Sequence, residues 1–302
     1  MVKVAIAGGT GHLGLCIAES IVAGKKHEVI VLSRSASNPD LERLGVKVVQ
    51  VSYTDPSSLD RALAGVHTVI ASIFSFDPDA IISPQLALLG ASVRSGVKRF
   101  APSEFNAAKL YDKAITMYVP KLTVEEAVRK SGLEFTLYEC GSFMNYLADG
   151  TPGLGRANSM KFVLDVEACT AEIPGDGNIG VALTRIEDIG EFVAASLDLE
   201  KWPEVSQMAG DVKTHNQMVS IAEAVRGKKF EVTYEPVEKL KAQRNPNASD
   251  LYGKFLNALA EAKLLITTGR YDFKDPNLNK LCPQVKPMGI EEFLKKWFGP
   301  VA

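Results

Sequence analysis

The sequence predicts an α/β protein with a doubly wound parallel sheet and a smaller C-terminal α/β lobe. Three observations carry this. Short apolar β-type runs alternate with helical segments through the first half, each helical segment closes on a glycine, and a glycine-rich loop joins the first strand to the first helix. Strand-then-helix repetition requires right-handed crossovers, which place helices on both faces of one sheet.

The first strand is expected over residues 2–7 (VKVAIA), followed by the loop Gly8-Gly9-Thr10-Gly11-His12-Leu13-Gly14 and a helix over 12–23. Strand-like runs follow at 28–32, 46–51, 68–72, 99–102 and 134–138, with helical segments at 56–64, 81–95 and 120–130 between them. Gly24, Gly65, Gly96 and Gly132 stand where a helix ends on a left-handed residue. After about residue 140 the rhythm changes. Thr151-Pro-Gly-Leu-Gly and Ile173-Pro-Gly-Asp-Gly-Asn read as loops, 229–234 as a late β-run, and 185–199 and 250–265 as helices. The expected division is therefore a nucleotide-binding domain over 1–150 and a substrate lobe over 151–302, part of it packing back on the sheet.

Composition narrows the function. At 302 residues with 46% hydrophobic and 23% charged side chains, the chain is of ordinary globular type. A net charge of −2 gives no general attraction to nucleic acid or acidic lipid. Cys16, Cys140, Cys169 and Cys282 are scattered without a CxxC pair, which speaks against a zinc site and for a reducing compartment. The first strand begins at residue 2, leaving no room for a leader, and no apolar run reaches the roughly 18 residues of a membrane span. A cytoplasmic protein is expected, with no nucleic-acid or membrane partner; a homodimer is left open.

The glycine loop contains GxGxxG starting at Gly9. Taken alone, the pattern also describes a tight turn. Its position, directly after an apolar strand and opening a helix, is the context in which a pyrophosphate lies on backbone N–H groups at a helix N-terminus. Gly8, Thr10, Gly11, His12, Leu13 and Gly14 are the expected contacts. Gly11 would let the backbone approach the phosphates and Gly14 would let helix and strand pack closely. An acidic residue commonly follows the second strand in NAD sites, but here the stretch is Leu32-Ser33-Arg34-Ser35. Arg34 suits a 2′-phosphate, so NADP(H) is the expected cofactor. Asp55 is a candidate for the adenine edge, although Thr54-Asp55-Pro56 also makes a helix N-cap.

Val97-Lys98-Arg99-Phe100-Ala101-Pro102-Ser103-Glu104-Phe105 resembles the strand-five signature of the isoflavone reductase-like, NmrA-related group of atypical short-chain dehydrogenases. Also similar are GGTGHLG, Arg34, Ser57-Leu59-Ala62-Leu63-Gly65-Val66, and Gly175-Asp176-Gly177-Asn178 followed by Glu187-Asp188-Ile189-Gly190. The resemblance runs through roughly residues 3 to 200 and implies a Rossmann domain, a C-terminal substrate lobe and NADPH. It further implies one catalytic lysine on the helix before strand six. By position relative to Gly132-Leu133-Glu134-Phe135-Thr136 that lysine is Lys121. Met117, Lys121, Val124 and Val128 share one helical stripe, so Lys121 points along an apolar face. A lysine there is either paired, working, or snorkelling at the stripe's edge. Pro120 and Glu125-Glu126 depart from the plant reductases, which usually carry an acidic residue and paired arginines there. That puts the plant substrates in doubt.

Tyr118 and Lys121 are spaced Tyr-x-x-Lys rather than Tyr-x-x-x-Lys, so Tyr118 is read as packing or substrate wall. Ser72 closes the fourth strand and Ser103 lies just past the fifth, both in the cofactor-binding set at the carboxyl edge of the sheet. Glu104 is either functional or a buried structural partner. Phe143 resembles the aromatic that borders the nicotinamide in the family. His215 heads a helical run and is expected as a cap or surface residue. The function expected is NADPH-dependent reduction of a small, aromatic molecule (phenolic, enone or aryl ether) assisted by Lys121. The alternatives are a cofactor-sensing regulator of the NmrA type and a lyase or isomerase on the same fold.

Overall fold

The structure of the protein, a computed structural model, describes residues 1–108, 115–155 and 160–299. Among these, six parallel strands form the central sheet: β1 (Lys3–Ala7), β2 (Glu28–Ser33), β3 (Lys47–Gln50), β4 (Thr68–Ala71), β5 (Arg99–Ala101) and β6 (Glu134–Phe135). Their order is β3-β2-β1-β4-β5-β6, the doubly wound arrangement expected. Between the strands lie α1 (His12–Gly24), α2 (Pro39–Arg43), α3 (Pro56–Ala62), α4 (Asp79–Arg94) and α5 (Val119–Lys130). Val4, Ala5, Ile6 and Ala7 are all 0% exposed, because helices cover both faces of the sheet. That is why β1 reads as a continuous apolar run rather than an alternating one. Ala7 lies beside both Leu32 and Ala71 in the register, so the chain leaves β1 at the point where strand order reverses. A crevice opens there at the carboxyl ends of the strands.

The remaining strands are β7 (Leu137–Glu139), β8 (Ser142–Phe143), β9 (Leu164–Asp165), β10 (Thr170–Pro174), β11 (Gly180–Thr184), β12 (Val205–Gln207), β13 (Asp211–Thr214) and β14 (Glu231–Glu235). They form three small sheets, β14-β10-β9, β13-β11-β8 and β12-β7. The later helices are α6 (Ile186–Ser196), α7 (His215–Arg226), α8 (Val237–Gln243), α9 (Leu251–Ile266), α10 (Asn277–Leu281) and α11 (Ile290–Phe298). Helix α6 packs directly on α1. A Cβ on Gly190 would lie 2.6 Å from the Cys16 carbonyl oxygen, and Ile189, Phe192 and Val193 share a core with Ile17 and Ile21. Arg99, 7% exposed, ties this layer to the sheet: its guanidinium donates to the carbonyls of Leu197, Leu199 and Glu200 and to Glu134. A buried cation is tolerable because its donors are met and its charge is paired.

Three local expectations change. Helix α1 includes Gly24, and Lys25 takes the left-handed conformation instead, at φ 53° with its N–H on the Val22 carbonyl. Gly65, Gly96 and Gly132 do carry the positive φ expected of helix-ending residues. The run 134–138 breaks at Thr136, whose buried hydroxyl pairs with that of Ser206, and β7 then joins β12 outside the central sheet. Helix α2 was not foreseen; Asn38 caps it by accepting from the N–H groups of Asp40 and Leu41, which five residues of sequence could not advertise by periodicity.

Candidate active-site cleft

A cleft of about 840 Å³ follows the switch-point crevice. The loop after β1 forms one wall and turns on Gly8 at φ 82°, where any Cβ would sit 2.2 Å from the Ser72 carbonyl oxygen. A Cβ on Gly14 would meet the Gly8 carbonyl at 2.4 Å, so helix and loop touch through bare backbone. Gly11 differs: only the Gly8 oxygen lies near its Cβ position, at 3.4 Å, and the remaining space is open cleft. Gly11 is also the N-cap of α1, with no side chain satisfying the first N–H groups of that helix. Their partial positive charge faces the cleft, the condition an anionic group requires.

Most of the expected site residues meet here. Gly8, Thr10, Gly11, His12, Leu13, Arg34, Ser72, Ser103, Lys121 and Phe143 all line the cleft. Arg34 lies beyond β2, exposed, with no carboxylate partner among the described residues; Tyr53, not foreseen, stands near it. Asp55 is not among the lining residues. Its carboxylate caps α3 by accepting from the Ser57 N–H at 3.0 Å, the plainer of its two sequence readings. Gly14 contributes packing rather than lining.

Lys121 sits in the first turn of α5, half-buried, and its Nζ donates to the Ser103 carbonyl at 2.7 Å and to the Glu104 carbonyl. An ammonium has three donors. Two are held by the loop after β5, and the third is left for the cleft. Burial pushes the Lys121 pKa below the ordinary lysine range, while Glu104 and Cys140 act in the opposite direction. The Glu104 carboxyl is pushed up to about 7, chiefly by burial and further by Glu125 and Glu139, against the pull of Lys121. The loop itself is strained: Phe105 has φ 40°, uncommon for a bulky residue, and stacks on Tyr138 with ring centroids 5.5 Å apart. Strain held by packing is characteristic of loops that position working groups.

A second cavity of about 240 Å³ adjoins the cleft and shares Phe105, Asn106, Phe143 and Tyr146 with it. Its walls are mostly apolar. Tyr271 donates to Asn106 Oδ1 at 2.7 Å, and the Tyr118 and Tyr271 hydroxyls lie 3.4 Å apart. Burial raises both phenols, Tyr271 to about 12, so both stay neutral in this wall. Asn106 was not singled out in the sequence, although its place directly after Ser103-Glu104-Phe105 was a signal that could have found it. Tyr271 was not, because it arrives from 165 residues away.

His215 is the clearest correction. It begins α7 but is 4% exposed and lines the second cavity; Thr214 is the cap. Burial lowers its pKa to about 4. The imidazole is therefore neutral in the fold, whereas the unfolded chain binds a proton near pH 6.5. Its contribution to stability is complete above that value and is lost as pH falls towards 4, a difference of about 2–4 kcal/mol. Denaturant titrations between pH 7 and 4 should show a shallower loss for His215→Phe than for wild type. Parallel curves would place the acid sensitivity elsewhere.

The comparison with named relatives, together with the fold, makes this chain an oxidoreductase of the doubly wound α/β class. It belongs to the NmrA-like family, whose model matches residues 2–294. It is 34% identical over 236 residues to oxidoreductase BOA1 of Botryotinia fuckeliana, covering 76% of this chain and 78% of that one. It is 27% identical over 256 residues to phenylcoumaran benzylic ether reductase IRL1 of Ginkgo biloba, covering 79% of each. Among solved structures, the complex of AtPrR2 with NADP+ and (+)pinoresinol superposes with a TM-score of 0.78 at 24% identity, covering 98% of both chains, which supports the fold. Among the described residues no helix is long and apolar enough to cross a membrane.

Proposed function

We propose that the protein is an NADPH-dependent reductase of a small aromatic molecule, with Lys121 as its acid–base group. The observation that carries this reading is the position of Lys121. Two carbonyls of the loop after β5 hold its ammonium in the wall of the glycine-loop cleft, with one donor left over, and Phe105 and Asn106 of the same loop line both the cleft and the apolar cavity. Three features fit the cofactor: the uncapped start of α1, the open space at Gly11, and Arg34 without a carboxylate partner among the described residues. Relatives named as reductases support the same class.

When bound, the nicotinamide supplies the hydride. The backbone N–H groups of His12 and Leu13 at the start of α1 would hold the pyrophosphate, that of Gly11 being already donated to the Gly8 carbonyl at 3.0 Å; Arg34 would pair with the 2′-phosphate and Phe143 would border the reacting end. Lys121 donates a proton to, or holds charge on, a carbonyl or phenolic oxygen of the substrate. The apolar cavity seats the ring and excludes water from it.

Following NADPH loss with aromatic enones, phenolic ethers and quinones tests this reading. Turnover with one of these classes is expected. Tight NADPH binding with no turnover in any would favour the cofactor-sensing alternative. NADPH should also bind more tightly than NADH, and Arg34→Ala should remove about 10- to 150-fold of that preference, the value of one charge-assisted contact of about 1.5–3 kcal/mol. Equal affinity of the two cofactors in wild type would sink the role of Arg34.

A further inference from the structure

The entry to α5, the helix that carries Lys121, is fixed from the other lobe. Helix α5 begins without a side-chain cap of its own. The turn before it is held by Glu261 of α9, which is 0% exposed. Its Oε1 accepts from the Thr116 N–H at 3.1 Å and from the Thr116 hydroxyl at 2.9 Å. The same oxygen accepts from the Arg244 guanidinium at 3.0 Å. Arg244 opens the strap of residues 244–250 between α8 and α9, and Asn245, Pro246 and Ala248 of that strap line the cleft. A second path joins the same places. The Asn245 N–H donates to Asn257 Oδ1 at 2.8 Å, and Asn257 Nδ2 donates to Thr116 Oγ1 at 3.1 Å.

We propose that Glu261 and Thr116 are positioning residues for Lys121, and that they make the placement of its ammonium depend on the strap at the edge of the cleft. This rests on the reductase reading and adds to it the part of the C-terminal lobe that sets the acid–base group. A buried ion pair gives little net stability compared with apolar packing, but it admits one geometry. Charge-assisted bonds converging on one carboxylate oxygen tolerate little displacement of any donor. Lys121 follows Thr116 within the same short stretch, so a shift of the entry moves Nζ relative to the Ser103 and Glu104 carbonyls. Misplacing a working group by about 1 Å costs roughly 10²-fold in rate. Glu261 lines neither the cleft nor the second cavity, so it acts through Thr116. A ligand seated against the strap then favours the arrangement in which Lys121 is in place.

The test compares wild type with Thr116→Val, Thr116→Ser and Glu261→Gln, using the enone, ether or quinone that wild type reduces. Thr116→Val removes the hydroxyl from a side chain of similar outline. It should lower kcat about 10- to 100-fold, with KM and the Kd for NADPH within about threefold. Thr116→Ser keeps the hydroxyl and should restore kcat to within about threefold of wild type. Glu261→Gln keeps an acceptor for Thr116 but loses the charge, so kcat should fall about 3- to 10-fold; this variant serves if the valine one fails to fold. Amide hydrogen exchange gives a readout that needs no substrate. The amides of residues 122–126, at the start of α5, should exchange at least about tenfold faster in Thr116→Val than in wild type or Thr116→Ser. An unchanged kcat in Thr116→Val, a loss that the serine variant shares, a loss that falls on NADPH affinity, or equal exchange in all three proteins would each overturn the proposal. No turnover by wild type, with faster exchange confined to the valine variant, would instead overturn the reductase reading and leave the anchoring of α5 standing.

Discussion

Replacing Lys121 by alanine is expected to lower turnover by about 10²–10⁴-fold, the range for loss of a positioned acid or base. NADPH affinity should stay within about tenfold of wild type, because the expected phosphate contacts are other residues, those of the glycine loop and Arg34. The substitution also leaves the Ser103 and Glu104 carbonyls without their shared donor, at about 1–3 kcal/mol in stability. Melting curves must therefore accompany the kinetics. Wild-type turnover in a folded Lys121→Ala protein would remove the lysine from the mechanism while leaving the enzyme class intact. The pH dependence gives a second check. A negative Glu104 holds the Lys121 pKa up, so Glu104→Gln should move the limb of kcat/KM that reports Lys121 to lower pH. A shift in the opposite direction, or none, would mean that Glu104 does not act on the lysine.

Gly11→Val should abolish cofactor binding, with a loss of at least about 100-fold in affinity, and leave the chain folded. The physical basis is the difference between two glycines of one loop. Gly11 has φ −86°, which any residue adopts, and its Cβ position points into open cleft. Valine there costs about 1 kcal/mol as a poor N-cap and fills the space a pyrophosphate needs. Gly14→Val should do the reverse and damage the fold itself, since its Cβ would lie 2.4 Å from backbone. Isothermal titration with NADPH and a thermal melt of both variants separate the two effects. Retained binding in Gly11→Val would reduce the motif to a turn.

How much of this was legible depends on sequence separation. Apart from α2, the order of strands and helices through residue 135 was readable because each element announces itself locally, by an apolar run, a periodic stripe or a closing glycine. The cofactor-loop residues were readable for the same reason: the motif, its strand and its helix are contiguous. Gly24 misled because a helix stops where its hydrogen bonds run out, not at the nearest glycine. Asp55 had two local readings, and only its place relative to the cleft separated them. The second cavity was invisible in one dimension. Tyr118, Phe143, His215, Met218 and Tyr271 line it together, and no short pattern relates them.

The sequence by itself determined the doubly wound sheet and the glycine loop at its switch point, since those follow from short-range periodicity and backbone sterics, and it pointed to the family through the resemblance of its motifs. Only the tertiary structure decided that Lys121 is held by the loop after β5, and that His215 is a buried imidazole whose Nδ1 has no hydrogen-bond partner among the described residues. The reason is that burial and hydrogen bonding at those side chains are set by elements far away in the chain. Whether a polar residue is a solvated cap or an orphaned donor depends on what packs over it, and a local pattern carries no information about that.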